Sequence, residues 1–173
     1  MTRKDRTEGI YSRLEVLDAS ERNQFYRIQL KDMLKYAYRY SEEVKKRFDR
    51  AQFDVNKFRD LSDIKHIPIL KKKELIFLQS MGPRLGGLLT KDLGKMNRVF
   101  LSPGPIFDPE DRIPDYWGWT EGFYASGFRS GDVVQNCFNY HFNPAGLMFE
   151  DPLRNLECAV IPAGPGNTNT QLE

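Results

Sequence analysis

The chain has 173 residues and a formal net charge of +2, with acidic and basic residues mixed along the sequence. Without a concentrated basic stripe, nucleic acid is excluded as the main partner, and a hydrophobic share of 40% with 12 Phe and 8 Tyr excludes wholesale disorder. No apolar run approaches the length of a membrane span, so no membrane partner is predicted. Cys137 and Cys158 lie in apolar stretches without metal-ligand spacing, which predicts buried free thiols in a soluble, cytoplasmic protein.

Residues 1–95 have a helical pattern and are predicted to form a helical N-terminal region. Ser20 is the predicted N-cap of a first helix, and Ser41 begins a second. After an irregular stretch, residues 72–79 are predicted as a third helix, which makes the lysine run 71–73 a solvated helix start. The irregular stretch is expected to point four side chains inward, those of Phe53, Val55, Phe58 and Leu61.

Residues 96–173 change character and are predicted to begin an α/β subdomain. Three short apolar runs are predicted as strands, at 99–101, 133–138 and 158–161. The segments between them are predicted as helices, at 115–126 and 144–156. This order predicts the start of a parallel βαβαβ sheet with right-handed crossovers. Gly127 is placed at the C′ position of the first helix, and Pro152 is expected to kink or split the second.

Three stretches resemble the phenylacetate–CoA ligase branch of the adenylate-forming (AMP-binding) enzymes. Residues 67–75, IPILKKKEL, are similar to that family's LPFTTKEDL, which ends a helical opening. Residues 131–136, GDVVQN, are similar to its strand GDVVHN, and residues 160–168, VIPAGPGNT, to its VIPAGGGNT. Order and spacing agree across nearly the whole chain. The resemblance implies the N-terminal portion of such a ligase, with an α/β fold in which a helical region precedes the first strands of the parallel sheet.

Enzymes of this family join a carboxylate to AMP, release pyrophosphate and transfer the acyl group to CoA. The resemblance therefore implies ATP, Mg²⁺ and CoA as cofactors of a full-length parent and a small carboxylic acid, aromatic or short-chain, as its partner. No catalytic residue and no metal ligand is assigned, because those parts of the family's site are expected to follow residue 173. The chain itself is expected to be inactive, to need no cofactor and to self-associate through an uncovered sheet edge. Leu172 and Glu173 are either native or a tag junction.

The family's phosphate-binding loop, close to SSGTTGKP, corresponds to residues 102–109, SPGPIFDP. In such a loop backbone N–H groups, hydroxyls and one lysine suit an anionic triphosphate. Ser102, Gly104 and Pro109 match the family's pattern and are the candidate phosphate-loop residues. Both threonines, the second glycine and the lysine of the pattern are missing.

Three substitutions change the chemistry of this loop. Pro103 and Pro105 remove two N–H donors, and Asp108 stands where the family has its lysine. Two hypotheses follow. Either the loop is a variant that obtains its cation elsewhere, or the protein is a non-catalytic binding or regulatory paralogue that has lost the phosphate loop.

The loop that lines the family's acyl pocket, YGYGLFTGG, corresponds to residues 138–146, FNYHFNPAG. Its candidate acyl-pocket residues are Phe138, Tyr140, His141, Phe142 and Gly146. Tyr140 and Phe142 keep aromatic character and Gly146 is retained, whereas His141 makes the wall bulkier and more polar, which is expected to change the acid that fits. No nucleophile accompanies His141, so a pocket-wall or hydrogen-bonding role is predicted for it.

Two further features have structural interpretations. Trp119 and Phe123 lie at helical spacing and are predicted as core residues rather than as a stacking platform for single-stranded nucleic acid. The glycines at 164 and 166 form either a phosphate cradle or a tight strand-to-helix turn with Asn167 or Thr168 as N-cap.

Overall fold

The computed structural model describes residues 6 and 8–173, with the backbone alone at residue 84. The chain forms two compact units. A helical unit comprises residues 17–95 and 104–107, and an α/β unit comprises the described residues up to 16 together with 96–103 and 108–173. The domain boundary predicted between residues 95 and 96 stays a prediction. No helix in the described part of the chain is long and apolar enough to cross a membrane.

The helical unit is built on α1 (Ala19–Tyr40), α2 (Glu42–Arg50) and α3 (Lys72–Met81). Short 3₁₀ turns follow α2 and α3, at Val55–Lys57, Leu61–His66, Arg84–Gly87 and Leu93–Lys95. The helix predicted at 72–79 is present and two residues longer. Lys71 is its N-cap and the lysine run is exposed, as predicted for a solvated helix start.

The N-terminus of α1 is capped by Asp18, so the prediction of Ser20 is wrong. The Asp18 carboxylate accepts a hydrogen bond from the Glu21 N–H at 2.8 Å, and the Glu21 carboxylate accepts one from the Asp18 N–H at 3.1 Å. This reciprocal capping box satisfies two N–H groups near the helix start, while Ser20 lies inside the first turn. The predicted start of the second helix at Ser41 is confirmed, because its hydroxyl oxygen accepts from the Val44 N–H.

The core of the helical unit lies between α1, α2 and the turn that follows α2. Its buried side chains are Leu34, Phe48, Val55 and Phe58. Phe53 packs against this cluster, so the inward orientation predicted for the irregular stretch is confirmed at three of its positions. Leu61, the fourth, is partly buried at the start of a 3₁₀ turn.

After a 3₁₀ turn at Arg13–Val16 in the α/β unit and the whole helical region, the chain continues through seven further elements. These are β1 (Arg98–Ser102), β2 (Ile106–Glu110), α4 (Thr120–Ala125), β3 (Val133–Gln135), α5 (Ala145–Asn155), β4 (Ala159–Ile161) and α6 (Thr168–Gln171). Strands β3 and β4 are parallel, with Val134 opposite Val160, and α5 connects them. The predicted fold class, a helical region followed by a small parallel sheet, is confirmed.

Strand β1 differs in its pairing from the sequence-based expectation. It forms a separate two-stranded sheet with β2, a strand that the sequence did not predict. Residues 103–105 alone connect the two strands, which suits a hairpin and is too short for a parallel crossover. Pro109 lies inside β2, and a proline argues against strand in sequence-based assignment. The parallel ladder of the described residues therefore has two strands rather than the three expected.

Helix α4 begins later than the predicted helix over 115–126. Asp115 has a positive φ of 48°, and its carboxylate accepts hydrogen bonds from the N–H groups of Trp119 at 2.9 Å and Thr120 at 3.0 Å. Because these bonds close a turn ahead of the helix, residues 115–119 are not helical.

The C-terminus of α4 agrees with the prediction. Gly127 occupies the C′ position with a φ of 99°, a conformation that glycine adopts without strain. Its N–H donates to the Tyr124 carbonyl, and the Phe128 N–H donates to the Phe123 carbonyl, which together form a Schellman motif. The rings of Phe123 and Phe128 meet edge to face, 5.3 Å apart, and complete the motif's hydrophobic contact.

The split expected as one outcome at Pro152 is wrong, because α5 is one continuous helix with Pro152 inside it, and the kink expected as the other outcome stays a prediction. The proline lies in the last turn, so the bond lost to the carbonyl four residues earlier is close to the helix end. Its ring is fully buried and contributes to packing there.

The core of the α/β unit lies between α5 and the parallel strands. Its buried residues are Leu153, Leu156 and Cys158, against which Val134 and Val160 of the sheet pack. Cys158 is a buried free thiol, as predicted. Cys137 is also free but exposed, so the prediction of burial is wrong for it. It lies two residues beyond the end of β3, where the alternation of the strand no longer directs side chains inward.

Replacing Phe48 with Ala is expected to destabilise the protein by about 3–5 kcal/mol, because the resulting cavity removes packing from the core of the helical unit. Phe48 is 5% exposed and Phe77 is 61% exposed, so Phe77→Ala is the matched control. The control should change the free energy of unfolding by less than about 0.5 kcal/mol. Urea unfolding followed by circular dichroism measures both variants, and equal losses would contradict the assigned core.

Candidate functional site

Residues 102–109, which correspond to the family's phosphate loop, form a β-hairpin. Ser102 ends β1, Gly104 lies in the turn with a φ of 149°, and Pro109 lies within β2. The Ser102 hydroxyl donates a hydrogen bond to the Asp108 carboxylate. The residue that replaces the family's lysine is therefore bound to the loop's own serine.

The turn of this hairpin lies close to a lysine of α3. A Cβ on Gly104 would come within 3.2 Å of the Ile106 side chain and 3.4 Å of Cε of Lys72. Lys72 is the first residue of α3 and is exposed. Lys72 thus places beside Gly104 a positively charged side chain of the kind that the loop sequence lacks.

The loop that corresponds to the acyl pocket folds around the side chain of Asn136, which follows β3 directly. Asn136 is 4% exposed. Its amide nitrogen donates to the Tyr140 hydroxyl at 2.8 Å and to the Gly146 carbonyl at 2.9 Å, and its amide oxygen accepts from the Phe138 N–H at 3.1 Å. One buried amide therefore fixes the beginning, the middle and the end of the loop.

Tyr140 and Gly146 lie together inside this loop. A Cβ on Gly146 would approach the Asn139 carbonyl oxygen to 2.7 Å and the Tyr140 ring to 2.8 Å, so a larger residue would displace the loop. Burial raises the pKa of Tyr140 to about 12, and a hydrogen bond to the Glu150 carboxylate adds to the increase. Tyr140 therefore stays a neutral phenol near pH 7 and positions the loop rather than acting as a base.

The remaining acyl-pocket candidates lie on the outside of the loop. His141 and Phe142 are exposed, and His141 bonds to the Asn139 side chain through its backbone N–H at 2.7 Å. Phe138 is 53% exposed, and its ring lies 4.7 Å from that of Phe149. The five candidates thus divide between an inner pair and three outward-facing side chains.

Phe138 belongs to an apolar groove between α4, α5 and the end of β3. We call it the aromatic groove; it encloses about 430 Å³ and is lined mainly by Trp119, Phe123, Phe128, Val134, Phe138 and Phe149. Phe123 packs against the core, as predicted. Trp119 is 42% exposed, so its predicted core position is wrong, and it forms the rim of the groove instead.

A backbone hydrogen bond links the residue before the candidate phosphate segment to the candidate acyl segment. The Leu101 N–H donates to the Phe142 carbonyl at 2.8 Å, which places the end of β1 beside the acyl-pocket loop. Ser102, the first candidate phosphate-loop residue, directly follows Leu101. The first residue of the segment that the resemblance assigns to phosphate therefore lies close to the segment that it assigns to the acid, within the α/β unit.

A partly buried ion-pair network anchors β1 to α5. The Arg98 guanidinium donates to Glu110 and to Asp151, both at 2.6 Å. Glu110 is 1% exposed and also accepts from the indole N–H of Trp117 at 2.9 Å. All its contacts serve the fold. No group of three or more His, Cys, Asp or Glu side chains among the described residues could hold a metal ion.

Comparison with known proteins finds similarity to ligases of the kind that the sequence resembles. The chain is 24% identical over 170 residues to the phenylacetate-coenzyme A ligase of Aromatoleum evansii, which covers 92% of this chain and 38% of that protein. Its fold matches 2-hydroxyisobutyryl-CoA ligase in the postadenylation state with 2-HIB-AMP, at a TM-score of 0.83 and 19% identity over 90% of this chain and 34% of that one. An open conformation of that ligase with 2-HIB-AMP and CoA also gives a TM-score of 0.83, at 18% identity over 90% and 35% of the two chains. No family model matches the chain.

The resemblance to phenylacetate–CoA ligase is confirmed. The match corresponds to the N-terminal portion of such a ligase, and the chain spans 38% of the curated relative and about a third of the solved ligase.

The site of this ligase-like chain contains residues whose roles the sequence did not show. Asn136 lies within the ligase-like stretch GDVVQN, and that match was a signal that could have identified it. Lys72 was assigned only to a solvated helix start, because its proximity to Gly104 depends on the fold. No local sequence pattern indicated the roles of Arg98 and Glu110, because their ion pair forms only when β1 and β2 pair in the hairpin.

Asp132, in the same ligase-like stretch, is a structural residue. Its carboxylate binds the Arg6 guanidinium through both oxygens at 2.7 Å and accepts from the Arg129 N–H at 2.9 Å. The hydrogen bond from Arg6, with that from Arg129, lowers the pKa of Asp132 to about 2. Arg129 is 7% exposed, and its guanidinium lies 3.7 Å over the Tyr124 ring. These contacts tie Arg6 to the turn that precedes β3.

Replacing Asn136 with Ala is expected to destabilise the chain by about 1–3 kcal/mol, because buried groups of Phe138, Tyr140 and Gly146 lose their partners. Asn139→Ala is the control, since that asparagine lies in the same loop and accepts one bond from the His141 N–H. The control should cost less than about 1 kcal/mol. Urea unfolding compares the two, and a control as damaging as Asn136→Ala would contradict the central position of Asn136.

Replacing Asp132 with Asn is expected to lower stability at pH 7 and to lose its effect in acid. A carboxylate whose pKa is lowered by folding stabilises the fold above its unfolded pKa of about 4, and this contribution disappears as the pH falls toward the folded value. The difference in unfolding temperature between wild type and variant should therefore close between pH 4 and about 2. Asp92→Asn, at a carboxylate 82% exposed, is the control and should show no difference. A pH-independent gap for Asp132→Asn would contradict the assigned ion pair.

Proposed function

We propose that this sequence is part of an ATP-dependent acid–CoA ligase, which activates a small carboxylic acid through an acyl-adenylate to a CoA thioester. The hydrogen bond from Leu101 to Phe142 carries the proposal, because it places the residue that precedes the candidate phosphate segment against the candidate acyl segment. Adenylation requires a carboxylate and a nucleotide phosphate to be held side by side. The relatives support this assignment, since one is a phenylacetate-coenzyme A ligase and the other was solved with an acyl-AMP and CoA.

Each candidate residue has a place in this proposal. Ser102, Gly104 and Pro109 border the nucleotide phosphates. Phe138, Tyr140, His141, Phe142 and Gly146 belong to the loop that borders the acid, with Tyr140 and Gly146 setting its shape and the other three facing the space outside it. ATP, Mg²⁺ and CoA are used by the whole ligase, and no Mg²⁺ ligand is assigned within these residues. The 173 residues alone are proposed to be inactive, since they span 38% of the curated relative.

Lys72 is proposed as the cation that replaces the missing lysine of the phosphate loop. Its Cε lies 3.4 Å from the position of a Cβ on Gly104, so the lysine side chain lies against the turn of this loop. A lysine ammonium acts on phosphate as a point charge, and it can therefore serve from α3 as well as from the loop itself.

A second candidate function is a binding or regulatory paralogue without adenylation. The observation that favours it is the hydrogen bond between Ser102 and Asp108, which occupies the loop's hydroxyl and keeps a carboxylate at the hairpin. A carboxylate among phosphates is repelled, and Pro103 and Pro105 donate no N–H group.

Acid-dependent pyrophosphate exchange by the whole ligase tests the first function. Lys72→Ala should lower exchange about 10- to 100-fold, since a lost charge-assisted contact costs about 1.5–3 kcal/mol. Lys73→Ala, one residue along the same exposed run, is the matched control and should leave exchange within about twofold, as expected for a solvated surface charge. Equal losses in both variants would remove Lys72 from the phosphate site.

Asp108→Lys in the whole ligase separates the two functions. If the variant loop works with Lys72, a second lysine should leave exchange unchanged or lower it. Exchange that appears only in Asp108→Lys would identify a lapsed ligase. Wild type that exchanges nothing with any acid and binds no ATP would exclude the ligase and leave the binding paralogue.

A further inference from the structure

The turn of the hairpin is held by a second side chain of α3, that of Gln79. The Phe107 N–H donates to the side-chain carbonyl of Gln79 at 2.9 Å, and the side-chain amide of Gln79 donates to the Phe107 carbonyl at 3.0 Å. A primary amide carries both a donor and an acceptor, as a peptide group does, so one glutamine can bind both backbone groups of a residue. Gln79 therefore pairs with Phe107 in the way that a residue of a neighbouring antiparallel strand would.

The two contacts between α3 and this turn match in spacing. Lys72 lies against Gly104, and Gln79 binds Phe107. Lys72 and Gln79 are seven positions apart, so they share one face of α3 and lie about 10 Å apart along its axis. The three steps from Gly104 to Phe107 can span at most about 10 Å of extended chain. The turn therefore runs along one face of α3, from Lys72 toward the C-terminus of the helix.

Both contacts lie within one compact unit. Residues 104–107 belong to the helical unit together with α3. Ile106, which lies between the two contacts, is 6% exposed, so the turn is packed as well as hydrogen-bonded. The position of Gly104 beside Lys72 is therefore set by contacts inside the helical unit.

We propose that Gln79 is a positioning residue of the phosphate loop. It holds the turn along α3, so that the Gly104 N–H and the Lys72 ammonium bind the same phosphates. Pro103 and Pro105 donate no N–H group, and a lysine side chain is flexible, so this loop depends on a fixed distance between its glycine and its lysine. The role rests on the proposed ligase function.

A positioning role and a purely structural role differ in their dependence on Lys72. A positioning residue acts through Lys72, so its removal costs nothing further once the lysine is gone. A structural contact that only stabilises the helical unit costs the same with and without Lys72, because the two changes are then independent. A double-mutant cycle separates the two roles.

Amide hydrogen exchange of the 173-residue chain tests whether Gln79 holds the turn, and it requires no ligase activity. Gln79→Leu should raise the exchange rate of the Phe107 amide about three- to tenfold in NMR spectra, as expected for the loss of one hydrogen bond. Ser80→Ala is the matched control, because this neighbouring residue loses a side-chain bond to the Phe77 carbonyl at 2.9 Å and should leave the Phe107 amide unchanged. Equal rates in wild type and Gln79→Leu overturn the proposal.

If circular dichroism shows Gln79→Leu to be unfolded, Gln79→Asn replaces it. This variant keeps the amide but is one methylene shorter, so it cannot make both bonds to Phe107 from the same backbone position. It should raise the exchange rate of the Phe107 amide in the same way. An unchanged rate in folded Gln79→Asn overturns the proposal.

Pyrophosphate exchange by the whole ligase tests the role itself. Gln79→Leu should raise the apparent KM for ATP about three- to tenfold. The KM for the acid should stay within about twofold, because the acyl-pocket loop is held separately by Asn136. In a Lys72→Ala background the same substitution should change the KM for ATP by less than about twofold.

The outcomes separate a failure of this role from a failure of the ligase function. An equal effect of Gln79→Leu with and without Lys72, or an equal rise in both KM values, overturns the role while the ligase function stands. Wild type that exchanges no pyrophosphate overturns the ligase function and this role with it. The Phe107 amide then shows whether Gln79 holds the turn in a protein of another function.

Discussion

The candidate site depends on the buried side-chain amide of Asn136. Three groups of the acyl-pocket loop bind this amide, and the backbone of the same residue joins the sheet and the turn after β4. Its N–H donates to the Ile161 carbonyl at 2.9 Å, and its carbonyl accepts from the Gly164 N–H at 3.1 Å. Burying an amide costs free energy when its polar groups have no hydrogen-bond partners. When all of these groups are hydrogen-bonded, the amide favours a single conformation of its surroundings. Because the amide here is fully paired, the loop has one favourable arrangement around it.

The position of the hairpin follows from the same arrangement. With the loop fixed between Asn136 and Gly146, the Phe142 carbonyl is held where the Leu101 N–H reaches it. This contact uses backbone groups alone, so it does not depend on which side chains the loop carries. A ligase-like backbone arrangement can therefore persist in a chain whose loop residues differ from the family's, as they do at His141 and Asp108. The backbone arrangement and the chemistry of the loop side chains are separate properties, and the resemblance is stronger for the backbone arrangement.

Local patterns predicted most elements, and the errors have specific physical causes. The helices at 72–79 and after Ser41 followed from periodicity and capping, and the parallel strands from apolar runs. Ser20 was predicted as the cap because serine is a common N-cap. The helix begins one residue before Ser20, and Asp18 caps it through two reciprocal hydrogen bonds with Glu21. Strand β2 was missed because its proline argues against a strand. The structure tolerates this proline because β2 lies outside the parallel sheet.

The site was predictable where a motif carried it and not where distant residues meet. The stretch GDVVQN contains both Asp132 and Asn136, so sequence located these positions without showing their partners. The approach of Lys72 to Gly104 joins residues 32 positions apart, and the bond between Ser102 and Asp108 requires a hairpin that the sequence did not indicate. Such contacts have no local period, and only the fold brings the residues together.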